Sequence, residues 1–573
     1  MSLSCIAMKR PSAIAKIHVG LLLLVAVAGT MTACRTIPSN LPQIPKWTKF
    51  EQAFASSVAY ANPLQEAEFF VTFRSPLGDS RTVPGYWDGA STWRVRFRPD
   101  QPGLWSWETR CSDASNPGLH GRKGSLLCTA RAGSGRFSEH GPIRVHHSGH
   151  YLEHDDGTPF FFLGDTAWNG PLKSTEADWA YYVQTRAAQG FSAVQWVTTQ
   201  FRAAPDGDIL KRRAYSGTNS IAVNPEFFQR LDGKVTAMNR AGLLSVPVLL
   251  WAHGGGTNRP IDPGAILKEE DAIRLARYMV ARWQADDVLW ILPGDGDYRG
   301  DNADRWKRIG RAVFDGVAHA PVSLHPGGRM WPIADFRGES WIGINGYQSG
   351  HNDRDDNLRW ITSGDPAKDW KLPPTRPSIS LEAPYENHVG AAGGKPMDDF
   401  IVRRAHYWSL LNAPVAGVAY GGHGVWGWDD GTRPPTDHPT TGTPLPWREA
   451  LRMPGAGQMT QLADFFSRIP FQRLSPKPEL LARQPGLEDV KAWISAAGTE
   501  ANDVAVIYTP VQQTVSVLMR AMPAGGSAEW FDVRTGGLVS AIGVLSEKTV
   551  EFPAPDIGDW MLVIRGRPLD SRK

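Results

Sequence analysis

The chain has 573 residues, 42% of them hydrophobic, and a formal net charge of +3. That length is more than one hydrophobic core serves and that composition excludes a disordered chain, so two to four globular domains are expected. The near-neutral balance, with no block of like charges, excludes an electrostatic footprint for nucleic acid or anionic membranes and favours a neutral or mixed-charge substrate.

Residues 1–34 read as an export signal. Lys9, Arg10 and Lys16 give a positive start, 17–29 an apolar stretch too short to span a bilayer comfortably, and Met31-Thr32-Ala33-Cys34 a small-residue ending before a cysteine. This ending resembles a lipobox, which predicts acylation at Cys34 and a lipoprotein of the periplasm or outer membrane, membrane-associated only through that anchor; an ordinary signal peptide and a secreted protein are the alternative.

Over 45–146 the pattern has period two. Trp93, Val95 and Phe97 alternate with Arg94, Arg96 and Arg98, and Pro102-Gly103 separates them from Leu104-Trp105-Ser106-Trp107. Alternation bounded by Gly and Pro predicts half-buried antiparallel strands and a small β-sandwich. Cys111 and Cys128 flank a Gly/Asn/Pro-rich turn region, and export to an oxidising compartment predicts a disulfide between them.

From 150 to 465 apolar strands alternate with amphipathic helices. Strands are expected at 160–163, 193–198, 244–251, 288–292, 321–324, 341–345, 377–381 and 415–420. A helix opens at Thr175, with Asp178 completing a capping-box-like pair, carries Trp179, Tyr182, Val183 and Arg186 on one face and ends at Gly190. Eight such repeats predict a (β/α)8 TIM barrel, with a doubly wound α/β sheet as the alternative. The proline-rich stretch 471–485 reads as a linker, and 486–573 returns to short strands, a second antiparallel β-sandwich.

In a (β/α)8 barrel the chemistry sits after the strands. Carboxylates stand there after strands one, four and seven, as Asp165, Asp295 and Glu382. Two carboxyl groups facing each other across a pocket are the minimum for glycosidic cleavage, and strands four and seven face each other, so Asp295 and Glu382 are the candidate catalytic pair. Trp168, Gln200, His253, Asp297, His325, Asn345, Gln348, His351, Tyr385, Glu386, His423 and Trp426 join Asp165 as candidate substrate-binding residues, a rim suited to sugar hydroxyls rather than phosphates. The 23 Trp residues fit stacking on sugars as well as core packing.

The segments Phe161-Phe162-Leu163-Gly164-Asp165-Thr166-Ala167-Trp168, Gln348-Ser349-Gly350-His351, Glu382-Ala383-Pro384-Tyr385-Glu386 and Gly424-Val425-Trp426-Gly427-Trp428 resemble the apiosidase-like family of glycoside hydrolases. Members often carry a preceding β-sandwich and a following sandwich of collagen-binding type, which Trp530-Phe531-Asp532-Val533-Arg534-Thr535-Gly536 and Asp559-Trp560-Met561-Leu562-Val563 resemble. The resemblance implies an Asp after strand four as acid/base and a Glu after strand seven as nucleophile, which fall on Asp295 and Glu382. The family's usual Gly-Gly-Asp stands here as Pro293-Gly294-Asp295, and Asp297 is the alternative acid. A retaining hydrolase of a plant or bacterial polysaccharide is the expected function, with a furanoside such as apiose among the substrates considered.

Other motifs lead elsewhere. Gly422-His423-Gly424-Val425-Trp426-Gly427 fits the dinucleotide fingerprint by letter but follows the last strand rather than the first. Histidines 253, 325, 351 and 423 lack the i, i+4 spacing of a helical metal site, so no metal or other cofactor is predicted. A non-catalytic cell-surface glycan-binding protein is the rival reading, against which the two facing carboxylates argue.

Overall fold

The structure, a computed structural model, describes residues 40–130, 135–253, 261–390, 393–435 and 437–566; Cys34 and the expected export signal lie outside them. Among the described residues no helix is long and apolar enough to cross a membrane.

Eight parallel strands form the central sheet: β1 (Phe162–Thr166), β2 (Ala193–Val197), β3 (Leu244–Trp251), β4 (Trp290–Gly296), β5 (Val322–Pro326), β6 (Asn345–Gln348), β7 (Ser378–Glu382) and β8 (Gly417–Tyr420). Their order is β5-β4-β3-β2-β1-β8-β7-β6. A parallel bridge between Ser323 and Ile344 joins the two outer strands. The sheet is thus a TIM barrel. Seven of its strands are buried along their whole length, as continuous apolar runs covered by helices require, and β4 is buried as far as Gly294.

Helices follow the strands: α1 (Glu176–Ala188), α2 (Pro225–Arg240), α3 (Glu269–Trp283), α4 (Asp301–Phe314), α5 (Ile333–Phe336), α6 (Asp355–Ser363), α7 (Asp399–Leu411) and α8 (Pro454–Ser467). α1 begins where its cap predicts, because Thr175 Oγ1 accepts the Asp178 N–H at 3.1 Å. Trp179, Tyr182, Val183 and Arg186 then form its buried face.

The N-terminal strands make a five-stranded and a three-stranded sheet. Phe69, Val71, Phe73 and Trp105 of one pack against Phe50, Phe54, Trp93 and Val95 of the other. Here the expected disulfide is corrected. In the hairpin of Gly103–Cys111 with Lys123–Thr129, Cys128 stands opposite Gly103, at the far end of the strand from Cys111. At about 3.4 Å per residue this separates the two by roughly 27 Å, where a disulfide needs Cα atoms within about 7 Å. Both are buried free thiols.

The arginine side of strand Thr92–Phe97 does not face water. Arg96 binds Asp232 of α2 at 2.7 Å, Arg98 binds Asp287 at 2.6 Å, and Lys49 binds Asp286 at 2.5 Å. At the other end, Leu474–Pro476 is not linker but the edge strand of a six-stranded antiparallel sheet. Pro476 is tolerated because an edge strand leaves one side of its backbone unpaired. Arg403 of α7 fastens this sheet to the barrel through Asp559, at 2.7 Å and 2.8 Å.

Candidate active site

Glu382 ends β7 opposite Gln348, the last residue of β6, and is 6% exposed. His351, just past β6, brings Nε2 to 2.6 Å from Oε1, and His325 of β5 brings Nε2 to 3.4 Å from Oε2. The Tyr385 N–H donates to His351 Nδ1 at 3.3 Å, so the ring proton sits on Nε2 and is donated to Glu382. Burial raises the Glu382 carboxyl, but the hydrogen bonds from His325 and His351 outweigh it and hold the group well below the usual carboxylate range. Tyr385 is kept protonated by burial and then by the charge of Glu382, and its hydroxyl accepts from Trp168 Nε1 at 3.1 Å. The Trp168 ring stands edge-on to His325 and to Trp251.

Asp295 lies near the end of β4, where the ladder shifts register on either side of Gly294. Its φ of 51° is a left-handed conformation uncommon and costly for a non-glycine residue, the kind of strain that clusters at functional sites. The flanking glycines are required sterically. A Cβ on Gly294 would lie 2.5 Å from Val248 Cγ1, and one on Gly296 2.8 Å from the Tyr298 ring. Because His325 pairs with Gly294 in the sheet and also reaches Glu382, one histidine links the two carboxylate strands at the same barrel end.

Asp295 does not stand alone. Arg202, in the loop after β2, places Nη2 3.1 Å from Asp295 Oδ2 and 3.1 Å from His438 Nε2. Its Nε lies 3.7 Å from Asp437, and its backbone N–H donates to Asp262 at 2.8 Å. Burial, helped by the charges of Asp295 and Asp437 and opposed by Arg202, pushes Asp262 up to about 6.

Between the two carboxylate groups stands a set of rings. His388 lies 4.9 Å from His351 and 5.2 Å from His423, centroid to centroid, and Trp426 is parallel to His423. Burial, then the neighbouring histidines, holds His388 down to about 2, and burial holds His423 down to about 4, so both are neutral imidazoles at ordinary pH.

Residues 146–473, more than half of the chain, match the family described as "Apiosidase-like, catalytic domain". The chain belongs to the apiosidase-like family. It is a glycoside hydrolase. Residues 43–112 match a domain of unknown function, DUF5060, and 476–565 match the "Putative collagen-binding domain of a collagenase". No curated protein matches the chain. Among solved structures, "a putative glycoside hydrolase" from Bacteroides vulgatus ATCC 8482 is 19% identical over 91% of this chain and 99% of its own, with a TM-score of 0.69. A glycoside hydrolase family 5 protein from the same organism is 20% identical over 76% of this chain and 95% of its own, with a TM-score of 0.65. At such identities the likeness is one of fold.

The apiosidase-like barrel gathers Trp168, His325, Gln348, His351, Tyr385, His423 and Trp426 with Glu382, and Asp295 with Arg202. Half-buried His253 borders 254–260, which lie outside the described residues. Five other candidates are placed elsewhere. Asp165 is fully buried on the helix side of β1, bound by Arg186 at 2.7 Å and Tyr182 at 2.6 Å. Glu386 accepts from Tyr420 at 2.6 Å and from the Gly455 N–H of α8 at 3.0 Å. The Gln200 amide spends both ends on the backbone of Ala214 and Tyr215. Asn345 opens β6 instead of closing it, opposite Ser378, which puts it deep in the barrel rather than at the rim. Asp297 is turned to solvent and gripped at both oxygens by Arg299. Arg202, Asp262, Asp437 and His438 also belong to the site but carry no signal in the sequence, and His388 carries only its place two residues past Glu386.

Proposed function

We propose that this enzyme hydrolyses glycosidic bonds with retention, Glu382 attacking the anomeric carbon and Asp295 serving as acid/base, on a plant or bacterial polysaccharide, furanosides such as apiosides included. The observation that carries the reading is the state of Glu382. Two imidazoles hold it as an anion in a dry site, which is what a nucleophile needs and what a proton donor cannot use. In the first step Glu382 bonds to the anomeric carbon while Asp295 gives its proton to the departing oxygen. In the second, Asp295 takes a proton from water, whose oxygen displaces Glu382 and restores the carboxylate. Asp297 is the weaker candidate acid, since its contacts with Arg299 lower it and keep it in solvent.

The test is a pair of variants. Glu382→Gln should lose turnover on every substrate, while Asp295→Asn should keep activity on glycosides with good leaving groups, which need little proton donation. Azide should rescue Asp295→Ala and give a glycosyl azide of retained configuration. An inverted first product, read by NMR of the fresh anomer, would overturn the nucleophile role. Release of reducing ends from pectic and furanose-containing glycans identifies the substrate, since the fold does not name the sugar. We also propose export with acylation at Cys34, supported by the lipobox-like ending; mass spectrometry of the native N-terminus should find a lipidated cysteine, and an unmodified residue there would remove the proposal.

A further inference from the structure

We propose that Arg202 is the positioning residue for Asp295, and that Asp437 and His438, from the loop after β8, hold Arg202 at that post. The proposal rests on the reading of Asp295 as acid/base. Two carboxylates, Asp295 and Asp437, converge on the Arg202 guanidinium, and a third, Asp262, takes its backbone N–H, each reaching it from the end of a different strand at the barrel mouth. The groups are secluded: the side chains of Arg202, Asp295 and Asp437 are 18%, 16% and 9% exposed.

The geometry gives each contact a direction. Arg202 donates to His438 Nε2, and His438 Nδ1 lies 2.8 Å from Asp437. Asp437 and His438 therefore anchor the guanidinium from one side while Asp295 meets it from another. Asp262 holds the Arg202 backbone and leaves the side chain free to reach Asp295. The remaining groups facing Asp295 are Tyr298, whose hydroxyl burial keeps neutral, and Asp297, which is occupied by Arg299. No other cation contacts Asp295 among the described residues.

One consequence follows for the reaction. Arg202 fixes which carboxylate oxygen of Asp295 is left for the substrate, since Oδ2 is engaged and Oδ1 is not, so a strand-eight loop sets the aim of a strand-four acid.

The experiment is steady-state kinetics on two substrates, the glycan that the wild-type enzyme cleaves in the reducing-end screen and an aryl glycoside of the same sugar with a good leaving group, for wild type, Arg202→Gln, Arg202→Lys, His438→Phe and Asp295→Asn. Arg202→Gln should lower kcat on the glycan by about ten- to a hundredfold, the cost of a misplaced catalytic group, with KM nearly unchanged, and should spare the aryl glycoside, which needs little proton donation. Arg202→Lys should recover part of that kcat. His438→Phe should show the same split by less, and it carries the test if Arg202→Gln fails to fold. Equal losses on both substrates, or none on either, in folded Arg202→Gln, or in His438→Phe where that variant stands in, overturn the proposal. An Asp295→Asn variant that keeps full kcat on the glycan, or a wild type that cleaves nothing, overturns instead the reading beneath it.

Discussion

At the scale of single residues, the pair of histidines on Glu382 has a measurable price. His351 donates to a charged acceptor at 2.6 Å, an interaction worth about 1.5–3 kcal/mol, or roughly one to two pH units, and His325 stands 3.4 Å from the other oxygen. Glu382 has its carboxyl depressed by them, so the active ionised form persists far into acid and is lost only as pH falls through that low value. Removing the closer donor in His351→Ala raises the carboxyl, and the acid limb of kcat/KM should move up by about one to two units. An acid limb unmoved in a folded His351→Ala would show that His325 alone suffices. Much of this neighbourhood was legible in the sequence, because Trp168, His325, His351 and Tyr385 all follow apolar runs closely. Arg202, Asp437 and His438 were not, since they reach Asp295 from loops whose paths no periodicity describes. Asn345 falls deeper than its apolar run suggests because Trp341 and Ile342 are buried outside the ladder, which the run joins only at the Ile344 bridge to Ser323, and burial is all that such a run reports.

At the scale of elements, the strands and helices emerged from their patterns, but the side on which a strand-end acid projects did not. Strands of a parallel barrel are buried on both faces, so a carboxylate can end one and still point to the helices. Asp165 does so. It ties β1 to α1 through Arg186 and Tyr182, and Asp165→Ala should cost about 3–5 kcal/mol, the usual penalty for leaving a buried charge unpaired, in urea unfolding; a cost below about 1 kcal/mol would deny it that structural role. The cysteines make the complementary case. Alternation placed both on strands of one hairpin but could not set its stagger, and the stagger separates them. Protein spanning residues 40–573 should therefore titrate two thiols after denaturation and react slowly before it, Cys128 being pushed up to about 11 by burial. Finding no thiol in the denatured protein would mean a hairpin register different from the one described.

At the scale of the whole molecule, three regions that match three separate families are joined by charge as well as by packing. Arg403 and Tyr508 both hold Asp559, the barrel on one side and the C-terminal sheet on the other. Asp559→Ala leaves the buried Arg403 guanidinium without that partner and should lower the thermal midpoint of the whole chain; separate melting of the two parts with the barrel transition unchanged would show the contact to be incidental.

The arginine row on strand Thr92–Phe97 carries a different lesson. Period-two alternation marks those residues as the wet side of a sandwich, yet Arg96 is 6% exposed and binds Asp232 of the barrel as well as Glu51 of its own sandwich. Cutting the chain near residue 146 would not release a catalytic core with a clean surface. It would strip Lys49 from Asp286 and Arg98 from Asp287 and leave Asp232 with Arg282 alone, an acidic scar at the entry to β4. A barrel transplanted alone would carry those unpaired aspartates with it, so the N-terminal sandwich and the barrel are one electrostatic body.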